Sequence, residues 1–320
     1  MAFNMTVMRQ KRVKYPQKPF LLRVKKDFLK YKYVYLMLLP VVVWYIIFAY
    51  WPLMGNIIAF KNFKPVAGIW NSPWVGFAHF KSFFSSYYFT RLLINTTLIS
   101  VYGIIFAFPA PILLAIMINE VRFKRYKRVV QTITYMPYFI SMVVFCGIII
   151  DFMKKDGVLT SALTIFGMPN ENHLMKPDAF RTIFVGSGIW QNMGWNSIIF
   201  LAALAGIDQE LFEAARIDGA NRLKQIWHIT LPGILPVIMI LLIMRMGQLL
   251  NVGFEKVILL KNNANAVNAE VISSFVYQRG ILEANYSYST AVGLFNSIIS
   301  FILVIGSNKI SRSTTEYGLW

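Results

Sequence analysis

Acidic residues are scarce in this chain. Fourteen Asp and Glu stand against 32 Lys and Arg in 320 residues, and charged residues of both signs make up only 14%. A soluble domain of this length buries about three quarters of its unfolded surface and still needs a polar exterior, which this composition does not supply. Cysteine is nearly absent. The lone Cys146 excludes an internal disulfide and a CxxC metal pair, and its apolar setting reads as packing. No GxxxxGK[ST] phosphate loop is present, so no nucleotide site is visible. HExxH, GxSxG and Cys/His clusters are missing too, which leaves no catalytic or metal site to nominate. Of the three histidines, His79 and His173 fall in connections and read as solvated; His228 reads as packed.

What the chain has is apolar sequence: 57% of residues are hydrophobic and the mean hydropathy is +0.53. These residues form long continuous runs, and about 20 apolar residues cross a hydrocarbon core of roughly 30 Å. Six spans are expected, at 34–60, 92–118, 129–150, 180–207, 231–254 and 289–307. Closed β-barrels are excluded, because barrel strands alternate in short segments. Pro40, Pro109, Pro111 and Pro137 fall inside spans, where neighbouring helices re-satisfy freed carbonyls. Among the spans Asp and Glu are nearly absent, which argues against a transporter driven by an ion gradient through buried carboxylates.

The net charge of +18 flanks the spans instead of forming a nucleic-acid motif. Residues 1–33 hold ten Lys or Arg and no cleavage site follows, so the first span reads as a retained anchor. The connection NEVRFKRYKR, 119–128, carries five cations in ten residues. The cation bias places both termini in the cytoplasm and makes the expected architecture an all-α integral membrane protein. Its parts are a basic segment at 1–33, a six-helix transmembrane domain at 34–308 and a tail at 309–320. The external connection at 61–91 is rich in Trp, Phe and Tyr; it suits either the membrane–water interface or docking of an external partner.

The most informative stretch is DQELFEAARIDGANRLKQIWHITLP, 208–232. Asp208 is a good N-cap and Glu210 places negative charge in the first turn. Leu211, Phe212 and Ala215 share a face, Glu213 and Arg216 are spaced to pair, and Gly219 suits a left-handed C-cap. Ala214 and Ala215 are small enough for another surface to approach closely. Pro232 fits the first turn of the following span. The expected unit is a short amphipathic helix, a turn and a second short helix, in a loop at 208–231.

EAARIDGA followed by WHITLP resembles the EAA loop of ABC-importer permeases. The stretch 189–208, GFEKVILLKN, VYQRG, AVGLFNSIIS and the terminal Gly318-Leu319-Trp320 are similar to the polysaccharide and oligosaccharide branch, of LplB-like and alginate-importer-like permeases. The resemblance implies the type I, MetI-like permease fold in the bacterial cytoplasmic membrane and binding-protein-dependent sugar import. It implies that Leu211, Phe212, Glu213, Ala214, Ala215, Arg216, Asp218 and Gly219 form a coupling helix docked on a separate ATPase. That partner would hold ATP and Mg, and this chain would carry no cofactor and be no enzyme. Two ATPases, a second permease and an external solute-binding protein are the implied partners. The coupling loop alone leaves peptide, amino-acid or phosphate cargo open.

A sugar path needs aromatic faces and hydrogen-bonding groups turned toward water within the bundle. Trp190, Gln191, Asn192, Trp195 and Asn196 in the fourth span qualify, with Arg245, Gln248 and Asn251 in the fifth and Asn296 in the sixth. For each the competing role is helix–helix hydrogen bonding. Arg245 is expected to face the path, since a cation at mid-bilayer costs at least ~2.5 kcal/mol.

Overall fold

The computed structural model describes residues 30–315 and 317–320; nearly all of the basic N-terminal segment lies outside them. The described residues divide into one unit ending at Asn56 and a second from Ile57 to Trp320. All regular structure among them is helical apart from one isolated bridge, Lys61 with Trp74.

In chain order the elements are α1 (Lys32–Phe60), α2 (Ala78–Phe84), α3 (Tyr87–Glu120), α4 (Lys124–Phe139), α5 (Met142–Met153) and α6 (Val158–Ile165). They continue with α7 (Pro177–Ala205), α8 (Gln209–Ile217), α9 (Arg222–Gly247), α10 (Phe254–Leu260), α11 (Ile272–Tyr277) and α12 (Tyr286–Thr315). By length and composition, α1, α3, α9 and α12 can each cross a membrane. A fifth crossing is added if α4 and the α5–α6 segment, bent by 102°, count as one broken span. The single third span expected at 129–150 is therefore broken: Pro137 sits in a tight 3-10 turn and Ser141 starts a new helix.

The expected fourth span, α7, has 29 residues, about 43 Å at 1.5 Å per residue. It is long enough but not among the helices apolar enough to qualify, because it carries Gln191, Asn192 and Asn196 along its length. The fifth span stops at Gly247 instead of 254. The sixth is longer than expected at both ends.

Prolines shape three of these rods in one recurrent way. Wide π turns cover Ile46–Tyr50, Gly103–Ala107 and Ile226–Thr230. Pro52, Pro109 and Pro232 each follow two residues later. A proline cannot donate to the carbonyl one turn back, and its ring collides with that carbonyl. Adding one residue to the preceding turn moves the carbonyl aside and keeps the rod continuous. Pro232 thus does not open a new helix after a short one: α9 runs without a stop from Arg222, through Pro232, to Gly247.

Three apolar clusters hold the second unit together. One joins Ile99, Phe145, Cys146, Phe180, Val257 and Val271; another joins Phe83, Leu92, Ile272, Phe275 and Val292. The third gathers Ile112, Ala115, Ile116, Phe200, Leu204 and Ile234, packing the ends of α3 and α7 against the middle of α9. Approach between α4 and α7 is very close. A Cβ on Gly194 would lie 2.0 Å from the Thr134 carbonyl oxygen, so only glycine fits there.

The reading of His173 as solvated is corrected: only 8% of it is exposed, because its helical turn tucks Leu174 into the first cluster. His228 is exposed instead of packed, with Nδ1 2.9 Å from the Lys224 carbonyl of its own helix. Asn95 and Thr96 tie segments together. Asn95 donates to the Val267 and Glu270 carbonyls at 2.7 and 3.0 Å and accepts from Arg181 at 2.9 Å, while Thr96 accepts from the Ile272 amide at 3.0 Å.

Candidate functional site

The loop at 208–231 is built from caps. Asp208 has extended backbone, and its Oδ1 accepts from the Glu210 amide at 3.0 Å, starting α8. At the other end Gly219 has φ +74°. Its amide donates to Arg216 at 3.1 Å, and the Ala220 amide donates to Ala215 at 2.8 Å. This pair of bonds is the Schellman arrangement that needs a left-handed residue. Asn221 then caps α9, its Oδ1 accepting from the Lys224 amide at 2.9 Å. Two successive stops leave α8 as a separate knob whose exit is fixed to the long rod α9. Arg222, the first residue of α9, pairs at 3.1 Å with Glu120, the last of α3.

No residue of α8 is buried. Glu213, Ala214, Arg216, Asp218 and Gly219 are exposed, Phe212 and Ala215 half-exposed, and the apolar Leu211 and Ile217 are 54% and 87% exposed. Apolar residues held in the open on a capped helix make a face suited to a partner. Glu213 and Arg216 form no ion pair among the described residues, although the spacing allows one. Arg216 instead lines a hollow with Arg122 and Arg222, and Glu213 stays in solvent.

The second feature is a cavity of about 840 Å³. Its walls come from α3 (Ser100, Gly103), α7 (Gly188, Gln191, Asn192, Trp195, Asn196), the end of α9 (Met244, Arg245), the residues after it (Gln248, Asn251) and α10 (Lys256). The period of α7 explains its share: Gly188, Gln191, Asn192, Trp195 and Asn196 follow the spacing of one helix stripe. Trp195 is held in place by parallel stacking on Tyr138, with centroids 4.6 Å apart. Among the described residues no Asp or Glu lines the cavity, while Arg245 and Lys256 both do.

Two nominated path residues lie elsewhere. Trp190 stacks on Phe145 at 5.6 Å, and Asn296, which does not line the cavity, keeps a buried Oδ1 with no hydrogen-bond partner among the described residues. The other nominated residues are brought together in one place. Lys256 was missed, although it stands in the GFEKVILLKN stretch. It is only 6% exposed, its Nζ donates to the Phe184 carbonyl at 2.7 Å, and it lies over the Phe184 and Phe145 rings at 4.6 and 5.4 Å. The usable signal was a lone cation in a hydrophobic run just after a span. Nothing in its spacing shows that α10 packs against α5 and carries Lys256 to the Phe184 carbonyl of α7.

Among the described residues no group of three or more His, Cys, Asp or Glu could hold a metal ion.

Residues 107–312 match the family model described as "Binding-protein-dependent transport system inner membrane component". The chain is 44% identical over 290 residues to Protein LplB of Bacillus subtilis (strain 168), covering 90% of this chain and 91% of that one. It is 41% identical over 290 residues to the polygalacturonan/rhamnogalacturonan transport system permease protein YteP of the same organism, with 90% of each covered. A chain of the bacterial alginate ABC transporter, solved in complex with alginate pentasaccharide-bound periplasmic protein, superposes with a TM-score of 0.85 at 40% identity. That match covers 93% of this chain and 100% of the other.

Proposed function

The chain belongs to the family of binding-protein-dependent transport system inner membrane components, and from that premise we propose that it is one permease subunit of an ATP-driven importer for an acidic oligosaccharide. The observation that carries the cargo reading is the cavity: amides and an indole for sugar hydroxyls and ring faces, two cations, and no carboxylate among the described residues. Unpaired charge within a bundle is costly unless it meets water or an opposite charge. A passing polyanion gives Arg245 and Lys256 that opposite charge. The cargo named for YteP and for the alginate transporter is polysaccharide, which agrees with this reading.

The protein sits in the bacterial cytoplasmic membrane and pairs with a second, related permease to complete the path. Cargo arrives from an external solute-binding protein. ATP and Mg bind two cytoplasmic ATPase subunits, and α8 docks on one of them through Leu211, Phe212, Glu213 and the close-packing Ala214 and Ala215. Closure of the ATPases displaces α8. Because α8 is stopped at Gly219 and joined directly to α9, the displacement passes into a 26-residue rod that ends beside the cavity at Met244 and Arg245. From Arg222 to Arg245 the rod spans about 35 Å. The ends of α7 and α3 move with it through the Leu204–Ile234 cluster and the Glu120–Arg222 pair. ATP drives this change only as far as it binds the two arrangements with different affinity.

The test is reconstitution in proteoliposomes with the co-purifying ATPases, second permease and binding protein. ATP-dependent uptake of a uronic-acid oligosaccharide, exceeding that of a neutral one of equal length, is the expected result. Failure of any ATPase to co-purify, or uptake that ignores ATP, defeats the reading.

A further inference from the structure

Beside α8 lies a second hollow, of about 660 Å³, lined by Arg122, Arg216, Ala220, Asn221, Arg222 and Gln225. Its three guanidinium groups come from three separate segments: the connection after α3, α8 and the first turn of α9. Arg222 is shared with Glu120, whereas Arg122 and Arg216 make no ion pair among the described residues. Asn221 and Arg222 begin α9, so the hollow also meets the N-terminal end of a long helix. Such an end attracts anions through its free amides and its dipole.

Gln225 adds an independent requirement. It is 5% exposed, and its Nε2 donates to the Ala220 carbonyl at 2.8 Å. That bond fixes which way the amide points and leaves Oε1 buried with no donor. A buried acceptor left unpaired costs about 1–3 kcal/mol. A fitting ligand therefore brings negative oxygens for the arginines and an O–H for Gln225. An ionised carboxylate has no such donor. A phosphate ester that carries a hydroxyl has both.

We propose that this hollow is a binding site for a phosphate group with an adjacent hydroxyl, supplied by an anionic phospholipid headgroup or by a soluble phosphate. Arg122 and Arg216 hold the phosphate oxygens, the first turn of α9 donates to them, and Gln225 accepts from the hydroxyl. The neighbouring helix favours the lipid source. In the Lys124–Tyr135 part of α4 no residue is buried, and cations at Lys124, Arg125, Lys127 and Arg128 stand beside exposed Phe123, Tyr126 and Val129. That composition suits a helix lying in a headgroup layer. The site joins α8 to the ends of α3 and α9, so its occupant bears on how firmly the knob is held.

The test uses the full-length protein in neutral detergent micelles. Phosphatidylglycerol, phosphatidylcholine and inorganic phosphate are titrated separately, and binding is followed by thermal unfolding and native mass spectrometry. Wild type is compared with Arg122→Gln and, as a control cation far along the chain, Lys309→Gln. Preference for phosphatidylglycerol over phosphatidylcholine, lost about tenfold in Arg122→Gln as expected for one charged hydrogen bond and kept in Lys309→Gln, supports a lipid-occupied site. Saturable stabilisation by inorganic phosphate alone, lost in Arg122→Gln, supports the same site with a soluble source. Equal losses in the two variants show only diffuse attraction between charges and overturn the proposal. It is equally overturned if binding of neither phosphatidylglycerol nor inorganic phosphate depends on Arg122.

Discussion

Nη2 of Arg245 lies 3.3 Å from the point where a Cβ on Gly103 would stand. The guanidinium on α9 thus covers bare backbone on α3, at the residue where the π turn before Pro109 begins. The absence of a side chain at Gly103 is what lets a cation stand within the cavity against the opposite wall.

Arg245→Met keeps a flexible unbranched stem and removes the guanidinium with its charge. Uptake of acidic oligosaccharide should fall at least about tenfold, the equivalent of one charged hydrogen bond, with subunit assembly unchanged. Gly103→Leu should block uptake of acidic and neutral cargo alike, since its bulk enters the cavity beneath Arg245. Parallel uptake assays with the two cargoes check both.

Lys256→Met should reduce uptake of acidic cargo without lowering thermal stability. Holding an ammonium at 6% exposure is costly, and the bond to the Phe184 carbonyl and the two ring contacts offset only part of that cost. A near-isosteric thioether relieves it. A melting temperature several degrees below wild type would show that Lys256 serves mainly to bind α10 to α7.

Glu213→Ala removes an exposed carboxylate that has no ion-pair partner among the described residues, so folding should be unaffected to within about 0.5 kcal/mol. ATP hydrolysis by the assembled complex should persist or the ATPase should dissociate, and uptake should be lost in either case. Normal uptake in this variant would refute docking through α8.

Gly219→Ala forces a side chain into φ +74°, at a cost of about 1–2 kcal/mol. No neighbour lies within 4 Å of the added atom, so the penalty is conformational and not steric. Amide exchange should quicken at Gly219 and Ala220, whose amides donate to Arg216 and Ala215, and coupling efficiency should drop. Unchanged exchange there would mean that the left-handed turn is not what stops α8.

Gly194→Ala should be far more damaging. The added atom meets backbone of the facing helix at 2.0 Å, and neither rod can yield cheaply. Loss of folded protein in membranes, measured by fluorescence-detected size exclusion, is the expected result. Gly186→Ala, with nothing within 4 Å, serves as the tolerated control on the same helix.

The amino-acid sequence by itself determined the membrane class, the helical content, the caps of α8 and the face it offers, because these depend on composition and on bonds between residues a few positions apart. Asp208, Gly219 and the exposed run at 211–217 were legible for that reason. The stripe Gln191, Asn192, Trp195 and Asn196 was legible as well, since helical period alone lines it up. Tertiary structure alone decided that Lys256 lines the same cavity as Arg245, that Trp190 turns away to Phe145, that His173 is buried, and that Arg122 shares a hollow with Arg216 and Arg222. Each of these depends on how α10 folds back and how α3, α7 and α9 pack, which are interactions between residues tens to hundreds of positions apart that no local pattern encodes.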